Sequence, residues 1–88
     1  MKWTVEYSKR ADAFIEEHGI RSKVQDSIRA FILKITGATI NIDVKKLKGE
    51  WAGYYRIRKG NIRIILKPDS ETVTVFVDII DFRGSVYR

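Results

Sequence analysis

Two runs of alternating residues, Tyr54-Tyr55-Arg56-Ile57-Arg58 and Ile62-Arg63-Ile64-Ile65-Leu66, flank Lys59-Gly60-Asn61. Alternation with period two is the mark of a half-buried strand, and Gly-Asn between two such runs signals a two-residue hairpin loop. Pairing on that loop sets Arg58 opposite Arg63 and Ile57 opposite Ile64. One face then holds Tyr54, Arg56, Arg58, Arg63, Ile65 and Lys67, and the other holds Tyr55, Ile57, Ile62, Ile64 and Leu66. A three-residue loop would bring Arg58 beside Ile62 and mix the faces, which a buried face disfavours. The hairpin is therefore expected to have an apolar back and an exposed cationic front. Arginine beside arginine is unfavourable in a strand pair. An anionic partner would relieve that cost.

The remaining chain supplies what the apolar back needs. Lys2 to Tyr7 alternate as a first strand, with Trp3, Val5 and Tyr7 on one side. Ser8 is a good N-cap for a helix over Lys9 to Glu17, and Gly19 suits its left-handed C-cap. A second helix is expected from about Ile20 or Ser22 to Thr36. Its buried face is read as Ile20, Val24, Ile28, Phe31, Ile32 and Ile35, with a Ser22–Gln25 capping box and a stop at Gly37. Ala38 to Val44 has no clean alternation and reads as a connector. Pro68 to Glu71 is a turn cluster. Thr72 to Ile80 is the most apolar strand. Its odd positions, Val73, Val75, Val77 and Ile79, are expected to face the helices, leaving Asp78 on the open side to pair with a hairpin arginine. Eighty-eight residues make a single domain, 1–88, with a small core. The class is α+β: a strand, two antiparallel helices, then a three-stranded antiparallel meander (β-α-α-β-β-β), with the helices packed on one sheet face.

Charge now becomes informative. Eight of the seventeen Lys and Arg residues lie between Lys45 and Lys67, with one acid, Glu50, giving that stretch +7 against +6 for the whole chain. Cations concentrated on one strand face point to an anionic partner, with nucleic acid foremost. Lys45, Lys46 and Lys48 stand just before the hairpin and are expected to share its electrostatic face. Cysteine is absent and His18 is the single histidine. Disulfides, Cys-His nucleophiles and multi-histidine metal sites are thereby excluded, and no metal or cofactor is expected. His18 reads as a helix-end residue beside the dipole, and Trp51 as a lid on the core. No apolar run approaches the ~18 residues of a membrane span, and the N-terminus lacks an apolar signal segment. A cytoplasmic protein without membrane association is expected.

Clustered arginine, lysine and tyrosine suit phosphate recognition, and also metal-free cleavage of RNA. There the ribose 2′-OH attacks the adjacent phosphorus while the protein orients the nucleotide and stabilises charge on the phosphoryl oxygens. Arginine forks match phosphate oxygens bidentately. A guanidinium with a pKa above ~12 is a poor proton acceptor, so these arginines supply charge and no general base.

Lys46-Leu47-Lys48-Gly49, then Tyr54 to Ile65, resemble the hallmark of the RelE/ParE toxin superfamily of type II toxin–antitoxin systems, in its RelE-like branch. The closing Arg83-Gly84-Ser85-Val86-Tyr87-Arg88 is similar to that family's C-terminal motif. The resemblance implies a small RelE-like fold and a ribosome-dependent messenger-RNA endoribonuclease that inhibits translation. Its partners are the ribosome, messenger RNA and a neutralising cognate antitoxin. It places the catalytic set on Arg56, Arg58, Arg63, Arg83 and Tyr87, with Arg63 and Arg83 on the scissile phosphate and Tyr87 on the base. Lys45, Lys46, Lys48 and Lys59 would dock on ribosomal RNA. Phe82 stands where many members carry a histidine. Two other readings fit the same basic face: a non-catalytic ParE-like toxin that poisons DNA gyrase, and a plain nucleic-acid-binding module. The Arg83–Tyr87 tail favours the nuclease.

Overall fold

The computed structural model describes residues 2–82. Strand β1 (Thr4–Tyr7) is followed by helices α1 (Lys9–His18) and α2 (Arg21–Ile35). Four strands follow among the described residues: β2 (Asp43–Lys46), β3 (Tyr55–Lys59), β4 (Ile62–Asp69) and β5 (Thr74–Phe82). They form one five-stranded sheet in the order β1-β5-β4-β3-β2. β1 runs parallel to β5, and every other neighbouring pair is antiparallel. This is the expected β-α-α-β-β-β architecture with one short addition. The meander carries an extra edge strand, β2, inside and just beyond the segment read as a connector. Its four residues pair with β3, and that pairing is non-local information that the sequence pattern does not carry.

The hairpin forms as predicted. Lys59 pairs with Ile62, Arg58 with Arg63 and Ile57 with Ile64. Gly60 at φ 60 provides the positive dihedral that the first loop position of a type II′ turn requires. Ile57, Ile62, Ile64 and Leu66 are buried against the helices, together with Val75, Val77 and Ile80 of β5. The helices contribute Ala11, Ile15, Val24, Ile28 and Phe31, and the Phe31 ring packs on Tyr55 with centroids 5.5 Å apart.

Helix α1 is set by its caps. Ser8 Oγ accepts from the Ala11 N–H at 3.0 Å and donates to the Asp78 carbonyl at 2.6 Å, so one hydroxyl caps the helix and ties it to β5. Removing a cap costs about 0.5–2 kcal/mol. Ser8→Ala should fall at the upper end of that range in chemical denaturation, because the second bond is lost as well. At the other end Gly19 adopts φ 60, ψ 38 and its N–H reaches the Ile15 carbonyl.

The capping box expected at Ser22 is absent: α2 starts at Arg21, its N-cap is Ile20, and no side chain caps it. Only Gly19 and Ile20 separate the two helices, so Ser22 already lies within the first turn, where its hydroxyl is past the capping position. Arg21 instead bridges the helices through Asp12 (2.8 Å) and Glu16 (2.7 Å). Its guanidinium lies 5.7 Å from the centre of the Tyr7 ring. Burial pushes the Tyr7 phenol up, against the opposing pull of Arg21. Ile35, expected in the core, is 40% exposed, and Leu33 is 45% exposed. The last turn of α2 therefore leaves both side chains outside the core.

Strand β5 departs from simple alternation. Val77 lies opposite Leu66 and Ile79 opposite Ile65, so Asp78 is the extra residue of a β-bulge. The bulge resets the faces. Ile80, not Ile79, is buried toward the helices, and Ile79 and Asp81 turn to the open side. Asp78 consequently does not reach the hairpin arginines: it pairs with Arg10 of α1 at 3.1 Å. The strand also starts and ends two residues later than expected.

Candidate nucleic-acid interface

Cross-strand register assembles the site. Asp43 of β2 pairs with Arg58 of β3, Arg58 with Arg63 of β4, and Arg63 with Asp81 of β5. A row of acid, arginine, arginine, acid thus crosses four strands on the face away from the helices. The neighbouring row on that face is Lys45, Arg56, Ile65 and Ile79. The cost of setting Arg58 beside Arg63 is met inside the fold, by a carboxylate at each end of the row.

The two ends differ. Asp43 is exposed on the edge strand and serves two arginines, accepting from Arg56 Nη2 at 3.0 Å and lying 3.9 Å from Arg58 Nε. Arg63 and Asp81 are buried, at 4% and 8% exposure, with Arg63 Nε donating to Asp81 Oδ1 at 3.1 Å. The cationic front is therefore not uniformly exposed. Arg58 is partly open and Arg56 largely covered, while Arg63 forms the floor. The Nε groups of Arg56 and Arg58 are buried and make no hydrogen bond within the described residues. Buried donors of this kind are normally satisfied, so they are poised for an acceptor such as a phosphate oxygen.

A cleft of about 290 Å³ opens over this floor, lined by Leu47, Lys48, Trp51, Arg56, Arg63, Ile65, Ile79 and Asp81. Its rim is built by the 3₁₀ turn Gly49–Trp51. Trp51 is half-buried, meets Tyr54 edge-on at 5.0 Å, and Tyr54 in turn lies 5.6 Å below Lys67 Nζ. Reading Trp51 as a core lid missed its place in the cleft. The available signal was an aromatic residue embedded among Lys45, Lys46, Lys48 and the arginines.

The lysines divide. Lys45 lies beside Arg56 on the open face and Lys48 lines the cleft. Lys46 pairs with Tyr55 and Lys59 with Ile62, which places both on the row turned toward the helices. Arg83 and Tyr87 lie outside the described residues. Phe82, just before them, pairs with Ile62, the neighbour of Arg63. The Phe82 ring contacts Phe14 (5.0 Å) and His18 (4.7 Å) on the helix side, so His18 takes the helix-end role expected of it, away from the arginine row.

The sequence matches no family model and no curated protein. Solved structures do match. The chain is similar to one from the RelB–RelE antitoxin–toxin complex of Methanococcus jannaschii, at 25% identity and TM-score 0.66 over 93% of this chain and 94% of that one. A second match is to the RelE–RelB complex of Pyrococcus horikoshii, at 20% identity and TM-score 0.70 over 98% and 100%. A third is to the RelBE2 toxin–antitoxin complex of Mycobacterium tuberculosis, at 23% identity and TM-score 0.62 over 94% and 100%.

Proposed function

The chain has the fold of the RelE-like toxin superfamily, and on that premise we propose that it is a messenger-RNA endoribonuclease that acts in the ribosome and is neutralised by a cognate antitoxin. The observation that carries this reading is the arginine floor of the cleft. Arg56 and Arg63 line it beside Trp51, Arg58 stands next to Arg63 in the adjoining row outside it, and the buried Nε groups of Arg56 and Arg58 make no hydrogen bond among the described residues. A phosphate seated there would meet several charge-assisted donors, and a base beside it would find an aromatic edge.

Cleavage is metal-free in this reading. Attack by the 2′-OH on the adjacent phosphorus builds negative charge on the phosphoryl oxygens, and Arg63 and Arg83 hold those oxygens. Each well-placed donor of this kind contributes about 2.7–4 kcal/mol at the transition state. Arg56 and Arg58 add charge along the strand, and Tyr87 stacks on or orients the base. Lys45 and Lys48 extend the cationic surface toward ribosomal RNA. Lys46 lines a surface depression with Lys45 and Lys48, and Lys59 lines one with Arg58, so both widen the cationic edge. The antitoxin, as partner, presents acidic groups that compete with RNA for the same arginines.

Primer extension on a translated message after induced expression tests the reading. Cuts confined to codons occupying the ribosomal A site are the expected result, and Arg63→Ala combined with Arg83→Ala should remove them. Growth arrest without any cut, accompanied by gyrase-dependent DNA damage, would replace this reading with the ParE-like one.

A further inference from the structure

Removal of the 2′-hydroxyl proton requires an acceptor, and no arginine serves. Among the described residues that line the cleft, Asp81 is the one carboxylate. Asp43 sits beyond Arg58 on the exposed edge strand and does not line it. We propose that Asp81 is the general base that takes this proton, an inference that rests on the endoribonuclease reading above.

Three observations support the assignment. The bulge at Asp78 turns Asp81 onto the catalytic face; unbroken alternation would have pointed it at the helices. Arg63 Nε occupies Asp81 Oδ1 at 3.1 Å, while Oδ2 accepts no hydrogen bond among the described residues. Arg63 and Asp81 line the same cleft side by side with Arg56 and Lys48, so a phosphate held by the cations of that cleft lies next to the carboxylate. The chemistry needs that adjacency, because the attacking O2′ is joined through C2′, C3′ and O3′ to the phosphorus that it attacks.

The step balances as follows. The 2′-OH proton passes to Asp81, and the freed oxygen pair forms the O2′–P bond. The P–O5′ bond breaks with its electron pair on O5′, which takes a proton from solvent water. The products are a 2′,3′-cyclic phosphate and a 5′-hydroxyl, and Asp81 returns its proton to solvent. Arg63, Arg56 and Lys48 are the other charged groups lining the cleft.

Single-turnover cleavage of a message on programmed ribosomes, followed from acid to neutral pH, tests the role in wild type, Asp81→Asn and Asp81→Glu. Wild-type cleavage should slow toward acid, the limb that general-base catalysis gives. Asp81→Asn keeps an oxygen for Arg63 Nε and should bind ribosomes normally, yet cleave about 10²–10⁴-fold more slowly with no acid limb. Asp81→Glu should retain the limb. An Asp81→Asn protein that cleaves as wild type overturns the proposal. So does one that is slowed but keeps the limb, since Asp81 would then only position Arg63. If the Asn variant does not fold, a pH-independent wild-type rate, or an Asp81→Glu protein without the limb, overturns it equally. Absence of cleavage by wild type defeats the endoribonuclease reading itself, whereas loss of the Asp81 role alone leaves wild-type cleavage in place.

Discussion

Arg63→Met should lower the unfolding free energy by about 3–5 kcal/mol in urea denaturation, a large share of the stability of a domain this small. The loss comes from the partner left behind. Asp81 sits at 8% exposure and is paired with Arg63 Nε at 3.1 Å, so its carboxylate would stay desolvated without a counter-charge. Asp81→Leu should cost a similar amount by removing the carboxylate to which the buried Arg63 Nε donates. The double variant Arg63→Met/Asp81→Leu should recover most of either loss, because replacing a whole buried ion pair by apolar side chains is near neutral or stabilising. A strongly positive coupling in this double-mutant cycle establishes the pair as mutually compensating. Strictly additive losses would show that each group is anchored elsewhere. The double variant should also be devoid of cleavage. A stable, inactive protein of that kind would show that the buried pair is kept for chemistry at the expense of stability.

Phe31→Ala is the second large effect, at about 3–5 kcal/mol in the same measurement. Phe31 is fully buried and is among the largest side chains in the core. It fills the space between α2 and β3, where its ring meets Tyr55. Truncation removes that apolar surface and leaves a cavity that the sheet cannot close, since Ile57, Ile64 and Leu66 are fixed by their ladder. Phe31→Leu should recover more than half of the loss. Because Arg56 and Arg58 flank Ile57 on the same strand, cleavage by the alanine variant should fall in step with its folded fraction. A loss of activity in a fully folded variant would instead mean that α2 sets the arginine geometry directly.

The hairpin was legible because its information is local. Period two, Gly60-Asn61 and the penalty for mixing faces fix the Arg58–Arg63 register within ten residues. Helix α1 was legible for the same reason, through Ser8 and Gly19. The site was legible only as a set of cations. Neither the burial of Arg63 nor the separation of Lys46 and Lys59 from Lys45 and Lys48 follows from alternation on one hairpin. The first depends on what β5 lays beside β4. The second depends on β2, a strand with no clean pattern of its own, which takes its register from β3.

The sequence by itself determined the two helices and every strand except β2, the apolar back of the hairpin and a basic front suited to phosphate. Tertiary structure decided which acids meet which arginines. Asp78 was the acid expected on the open face, and a one-residue bulge sent it to Arg10 and brought Asp81 to Arg63 instead. The reason is physical. A bulge is selected by how β4 and β5 pack together over the core shared with the helices, and the unpaired strand holds no local preference for it. That single insertion decides which carboxylate of β5 stands beside Arg63 and lines the cleft.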